Sequence, residues 1–472
     1  MTGVAPSRGW PGAGRGRASH VERPVEYQAT TVQACGLFPF VAGSGAPTAG
    51  VPIGRHLLWG EVVCCDPFAW MDVGLTTNRG LFVLGQPGTG KSAFGKRLCR
   101  GLMAFGAVPL FLGDAKPDYT PLVRSAGGQV IRIGRGLDRI NPLDAGPLGS
   151  ALAHLSGAAA EQLRHEIRGR RLSATLALCS LVRVDSSLTN AEETVLGAAV
   201  DLLADRLPFG VDPTVPDVLV LVREAPDRLI SAAEVDSVEE FRAETRRLRQ
   251  TLRTLCEGSL KGVFDGPTST PIDVTAPAVS VDLSAVTSAG DTLLSAAMLS
   301  TWSYGFAVID ASTALAAAGL APPRRYVAVL DELWRALRGS PGLVDHADAL
   351  TRVYRARDVA HVMLTHSLDD LAALPTEADR AKARGFVDRC AITALAGLPM
   401  RELDQVGAIV PLTDAEKQLV ASWSSPESWT VGARHPGRGK YLLKTGQRVG
   451  IPVEMTLVGD ELALYETDRR HR

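Results

Sequence analysis

"LFVLGQPGTGKSAFGKRL", residues 81–98, runs from four apolar residues through a glycine-rich turn into Lys and Ser. Gly85, Gly90, Lys91 and Ser92 fit G-x-x-x-x-G-K-[ST] without a gap. Glycines let successive backbone N–H groups curve around phosphate oxygens, because they carry no β-carbon. The helix expected to start near Lys91 turns its positive N-terminal end toward the same anion. Lys91 adds a point charge for the β/γ-phosphates, and Ser92 offers a hydroxyl to Mg²⁺. Gly85, Gln86, Pro87, Gly88, Thr89, Gly90, Lys91, Ser92 and Ala93 therefore make a candidate cradle for ATP and Mg²⁺.

Such a loop needs an acidic partner at the end of another buried strand. "YVAVLDELW" (326–334) supplies it on a β-segment expected to adjoin the loop strand. Asp331 would hold the Mg²⁺ through its water shell, and Glu332 would orient and polarise the attacking water. Tandem acids argue against a small-molecule kinase, whose base need only meet the substrate hydroxyl. "VMLTHS" (362–367) ends a further strand in Thr365, His366 and Ser367. His366 is placed to reach the γ-phosphate and report its loss; the plainer alternative is a satisfied structural histidine. Upstream lie Arg352, Arg355 and Arg357. Arg355 is the candidate arginine finger, a charge worth ~10³–10⁵ in rate where one is used. The alternative is a solvated helix end.

The chain of 472 residues is long enough for two or three units. It is 46% hydrophobic and 21% charged, the composition of a globular protein with a sizeable core. Fifty Lys and Arg against 51 Asp and Glu give a formal net charge of −1, so no global field favours nucleic acid or anionic membrane. Seven scattered cysteines form no C-x-x-C pair and no disulfide framework, which suits a reducing compartment. Adjacent Cys64 and Cys65 read as small core residues. "LLSAAMLSTWSYGFAVI" (293–309) is the best membrane-span candidate, yet it is short and meets Asp310. A span needs about 20 apolar residues, so it reads as a buried core helix.

The first 25 residues lack an apolar stretch and are rich in Gly, Pro and Arg, which reads as a flexible tail rather than a secretory signal. Residues 26–78 read as a short β-rich leader. β-type runs then occur at 81–84, 108–114 and 129–133, and again at 278–284, 326–332, 359–365 and 390–397. Their alternation with helical patterns predicts an α/β fold, a mostly parallel sheet covered on both faces. Residues 148–257, rich in Ala, Leu, Arg and Glu at helical spacing, predict an all-helical insertion. "KYLLK" (440–444) and "IPVEMTLV" (451–458) predict a C-terminal β-hairpin around "TGQRVG".

Taken in order, these elements resemble the motor domain of conjugative-transfer, type IV secretion ATPases of the TraC kind, in the HerA–FtsK branch of P-loop ATPases. The resemblance rests on "FLGDAKPDYTPLVRSAGGQVIRIGRGLDRINPLD" (111–144), with its Asp-x-Lys element, Gly-Gly turn and Asn-Pro-Leu signature. It rests also on "GSLKGVFDGPTS" (258–269) with "VDLS" (281–284), on "LDELW" (330–334), and on "GKYLLKTGQRVGIPVEMTLVGDELAL" (439–464). It spans roughly Gly50 to the C-terminus and implies a RecA-like ATPase core over 79–147 and 258–472. It also implies Mg²⁺-dependent conversion of ATP and water to ADP and phosphate. A ring, usually a hexamer, with ATP between subunits is implied too, as are membrane-embedded secretion or conjugation subunits as partners. The chain would then be cytoplasmic, peripheral at the inner face of the membrane. Two features depart from the pattern. His366 stands where the family usually has Gln, and about eighty residues precede the loop where members commonly carry a longer docking domain.

DNA is a further possible partner. "VEEFRAETRRLRQTLRTLCEG" (238–258) places Arg242, Arg246, Arg249 and Arg253 along one side of a single expected helix. This is a phosphate track or an ordinary solvated face. Two alternatives to a secretion motor follow: a DNA translocase or coupling protein of the same branch, and a nucleotide-gated scaffold with little hydrolysis.

Overall fold

The computed structural model describes residues 46–183, 187–258, 260–332, 358–369, 374, 376–424 and 435–465. Eleven strands in these residues form one sheet: β1 (Pro52–His56), β2 (Val62–Cys64), β3 (Gly80–Leu84), β4 (Ala107–Asp114), β5 (Gln129–Arg132), β6 (Val279–Asp282), β7 (Arg325–Asp331), β8 (Val359–Thr365), β9 (Ile392–Leu395), β10 (Lys440–Lys444) and β11 (Ile451–Glu454). Their spatial order is β2-β1-β11-β10-β9-β3-β8-β7-β4-β6-β5. Strands β9 to β5 pair in parallel, and β10, β11, β1 and β2 extend the sheet antiparallel from β9.

Alternation along each strand divides the core between the two faces. On β3, Phe82 and Leu84 join one cluster and Leu81 and Val83 the other. The first face is covered by the helix Asp291–Ala317, whose apolar window is 89% buried. Its Trp302 donates from Nε1 to the Leu112 carbonyl at 2.8 Å, pinning it to β4. This is the stretch that the sequence offered as a membrane-span candidate, and it lies in the core. The second face is covered by the helix Lys91–Ala104, with Phe94, Leu98 and Leu102 buried against the sheet.

Between β5 and β6 every described element is a helix, seven of them from Pro147–Leu152 to Arg246–Glu257. Side-chain ties bind these helices to the sheet domain. Arg170 bonds Asp310 of the core helix, Arg171 Nε donates to Leu143 O at 2.8 Å, and the Asn141 amide donates to Pro213 O at 2.9 Å.

Candidate nucleotide site

Strands β3, β8 and β7 end side by side, and the candidate residues gather at their carboxyl ends. Residues 85–90 turn directly off β3, and the helix begins at Lys91. A β-carbon on Gly85 would lie 2.5 Å from the Ala396 β-carbon, so the close approach of the loop to β9 requires glycine. Gly90 has φ +99°, which an L side chain rarely adopts, and it sits beneath the Tyr441 hydroxyl. The loop closes on itself through the Thr89 hydroxyl, which donates to Gln86 O at 2.7 Å. Gln86 N–H donates to Gly397 O at 3.1 Å and Gly439 N–H to Thr89 O at 3.1 Å. The Tyr441 hydroxyl donates to Gly90 O at 2.7 Å. Strands β9 and β10 thus brace the loop from its flank. Ser92 is half-buried in the first turn of the helix.

Lys91 is buried, and its ammonium donates to Gly85 O at 2.6 Å and Gln86 O at 3.1 Å. It also lies 2.7 Å from His366 Nδ1. An ammonium only donates, so Nδ1 accepts and the imidazole proton resides on Nε2. That Nε2 lies 2.9 Å from Glu332 Oε1 and donates to it. A continuous hydrogen-bonded chain therefore joins the phosphate-loop lysine to the second acid.

The acids are not on the strand next to the loop, as the sequence suggested. β8 lies between β3 and β7. Two strand spacings of about 4.8 Å separate them by roughly 10 Å, and His366, at the end of the middle strand, fills the gap.

The acids also draw on a segment whose role motif reading did not foresee. The Asp114 carboxylate, at the end of β4, accepts from Asp118 N–H at 3.1 Å and Tyr119 N–H at 2.9 Å, folding residues 114–119 into a turn. From that turn the Tyr119 hydroxyl donates to Asp331 Oδ2 at 2.7 Å, and the Lys116 ammonium lies 3.3 Å from Glu332 Oε1. The Tyr119 ring is fixed by stacking on Phe111 at 4.4 Å and by the buried Lys96 ammonium, 5.7 Å from its centroid. The signal was the Asp-x-Lys element with the Pro-Asp-Tyr that follows it.

Environment drives the two acids apart. Burial pushes the Asp331 carboxyl up, against the Tyr119 hydrogen bond. Burial acts on Glu332 in the same sense but loses: the hydrogen bond from His366 and the Lys116 ammonium bring its carboxyl down to about 2. Glu332 also has φ +55°, and its N–H donates back to Asp331 Oδ1 at 2.9 Å. A non-glycine residue there stores on the order of 1–3 kcal/mol of backbone strain.

Ser92 and Asp331 offer oxygen donors alone, which is the chemistry Mg²⁺ prefers. Each Asp331 oxygen accepts one described hydrogen bond and keeps a lone pair.

No protein-family profile matches the sequence, and no curated protein matches it. Solved structures do match. VirB4 of Thermoanaerobacter pseudethanolicus superposes with a TM-score of 0.66 at 20% identity, over 88% of this chain and 99% of that one. The chain has the VirB4 fold. The plasmid coupling protein TrwB, in complex with a non-hydrolysable GTP analogue, gives a TM-score of 0.48 at 14% identity, over 88% of this chain and 97% of that one. The VirB4 likeness agrees with the parallel sheet and the loop-to-helix turn described above.

Two sequence expectations fall elsewhere. Arg355, with its neighbours Arg352 and Arg357, lies outside the described residues, as does Trp334. The arginine stripe is not carried by one helix. The chain breaks at Thr245, whose hydroxyl turns back to Phe241 O at 2.7 Å, leaving Arg242 on Val238–Glu244 and the other three on Arg246–Glu257. Arg249 donates to Arg242 O across the break, and Arg253 pairs with Glu257 at 2.5 Å. At least two of the four guanidiniums thus serve local structure.

Proposed function

We propose that this chain is an Mg²⁺-dependent ATPase that powers conjugative transfer or type IV secretion. The observation that carries the ATPase reading is the chain Lys91–His366–Glu332, which links the phosphate loop to the base across the ends of three strands. The transfer reading draws on the motif resemblance given above and on the likeness of fold to VirB4.

In this reading the loop N–H groups and the head of the helix receive the triphosphate. Lys91 leaves its carbonyl partners for the β/γ-oxygens, since it is a donor only and its contacts are replaceable. Its departure frees His366 Nδ1, so the state of the terminal phosphate is felt at Glu332 through one imidazole. Glu332 then orients a water in line with the γ-phosphorus and accepts its proton. Ser92 and Asp331 would hold Mg²⁺, which when bound neutralises charge on the phosphate oxygens. The protein works as a ring, with a second copy supplying the arginine, at the inner face of the membrane beside secretion or conjugation subunits.

Glu332→Gln tests the engine. The amide still accepts from His366 and Lys116 but is no base. We expect ATP affinity within about threefold of wild type and turnover reduced by about 10²–10⁴. Turnover near the wild-type rate would reject the assignment. Adding single- or double-stranded DNA to the same assay sorts the cargo: salt-sensitive stimulation favours a strand-pumping motor, and no response favours secretion assembly.

A further inference from the structure

Two of the groups that engage Glu332 differ in kind. His366 is 28% exposed and is itself tied to Lys91. Lys116 is 54% exposed, stands on the turn after β4, and reaches the same oxygen, Oε1. His366 belongs to the line of communication with the phosphates. Lys116 has no part in that line. It comes from the strand on the far side of β7 and engages the carboxylate from the opposite flank.

From this geometry we propose that Lys116 is a restraint on the base, a positioning residue that keeps Glu332 turned into its resting contacts until the 114–119 turn moves. The inference rests on the reading of Glu332 as general base. Three observations support it. A carboxylate oxygen that accepts from both an imidazole and an ammonium has less capacity left for a water. Glu332 sits in a left-handed backbone conformation that the surrounding contacts must hold against strain. The turn that carries Lys116 also carries Tyr119, bonded to Asp331, so one short segment touches both acids. Being half-exposed, the Lys116 ammonium is the contact that an anion arriving from outside can draw away. The Asp-x-Lys turn would then set the basal rate, independently of nucleotide binding.

The test uses the full chain and four variants: Lys116→Met, Lys116→Arg, Glu332→Gln, and Lys116→Met combined with Glu332→Gln. Steady-state ATP hydrolysis gives kcat and KM, and a fluorescent ATP analogue gives affinity. Lys116→Met is expected to raise basal kcat about two- to fivefold, the size of a partly exposed ion pair, with analogue affinity unchanged. Lys116→Arg should return kcat to wild type, which a merely structural lesion would not do. The double variant should be as slow as Glu332→Gln alone, because releasing an absent base gains nothing. A fall in kcat or in analogue affinity for Lys116→Met would overturn the restraint and make the lysine a substrate contact. An unchanged kcat would overturn it as well. If Glu332→Gln stalls while Lys116→Met shows no gain, the restraint alone fails. If Glu332→Gln turns over like wild type, the base assignment fails and takes the restraint with it.

Discussion

The phosphate loop and the acid pair face each other across one strand, yet they are held in opposite ways. The loop is a contiguous run whose contacts are mostly with its own backbone and that of the adjacent strands: Thr89 on Gln86, Gln86 on Gly397, Lys91 on Gly85 and Gln86. The acids are two residues held by side chains from distant segments: Tyr119 and Lys116 from the turn after β4, His366 from β8. A self-held loop tolerates changes around it. Acids held from afar report any movement of those segments.

The difference sets an order of sensitivity. Lys91→Ala removes the loop's one charge, and no other described residue of the loop replaces it. A charge-assisted hydrogen bond is worth about 1.5–3 kcal/mol, so nucleotide affinity should fall about 10- to 100-fold by calorimetric titration. A loss under twofold would mean that backbone N–H groups alone hold the phosphates.

His366 is where the two regions meet, and it separates bridging from imidazole chemistry. An amide offers one acceptor and two donors, so His366→Gln can accept from Lys91 and donate to Glu332. His366→Ala can do neither. We expect the alanine variant to lose about tenfold in kcat and the glutamine variant to stay within about threefold of wild type. Equal loss in both would show that the ring itself, through its proton, takes part.

The same contrast explains what was legible in the sequence. The loop, its strand and the start of its helix at Lys91 were readable in detail, because glycine spacing and a period change are local signals. Asp331 and Glu332 were found by strand hydrophobicity followed by acids, but their distance from the loop was not. Strand order is a long-range property, and nothing in "YVAVLDELW" says that β8 intervenes. Tyr119 and Lys116 stood inside a motif with a recognisable shape and no stated role, since their partners are more than 200 positions away. The arginine stripe was misread as one helix because helical periodicity continues through Thr245, and the backbone irregularity there (φ −86°, ψ 7°) leaves no mark on that periodicity.

Tyr119→Phe tests the remote grip on the first acid. It removes one hydroxyl and leaves the stacked ring in place. Asp331 loses a donor that opposes the effect of burial, so the carboxylate is less well poised for a cation. We expect the Mg²⁺ concentration for half-maximal hydrolysis to rise about fivefold, the effect of about 1 kcal/mol, with little change in nucleotide binding without the metal. An unchanged Mg²⁺ dependence would show that Asp331 is held well enough by its own strand.

A second pair of acids carries the contrast to the seam between the sheet domain and its helices. Asp144 closes the "INPLD" segment and lies beside Asp212, 68 positions on, whose carboxylate takes Arg171 and Ala145 N–H. Burial, opposed by the Thr268 hydroxyl and reinforced by Asp212, pushes the Asp144 carboxyl up to about 6. An acid harder to ionise in the folded chain than in the unfolded one binds extra protons when folded. Stability from this group therefore declines as pH rises from about 4 to about 6 and stays lost above. Asp144→Asn keeps an oxygen for Gly146 N–H, now bonded at 2.6 Å, and gains an amide to donate to Asp212. The variant should be more stable than wild type by about 1 kcal/mol at pH 7.5, with the gain shrinking at pH 5, as read from urea midpoints. Equal or lower stability at pH 7.5 would mean that Arg171 already balances both carboxylates, and that this seam, like the phosphate loop, is satisfied by its own neighbours.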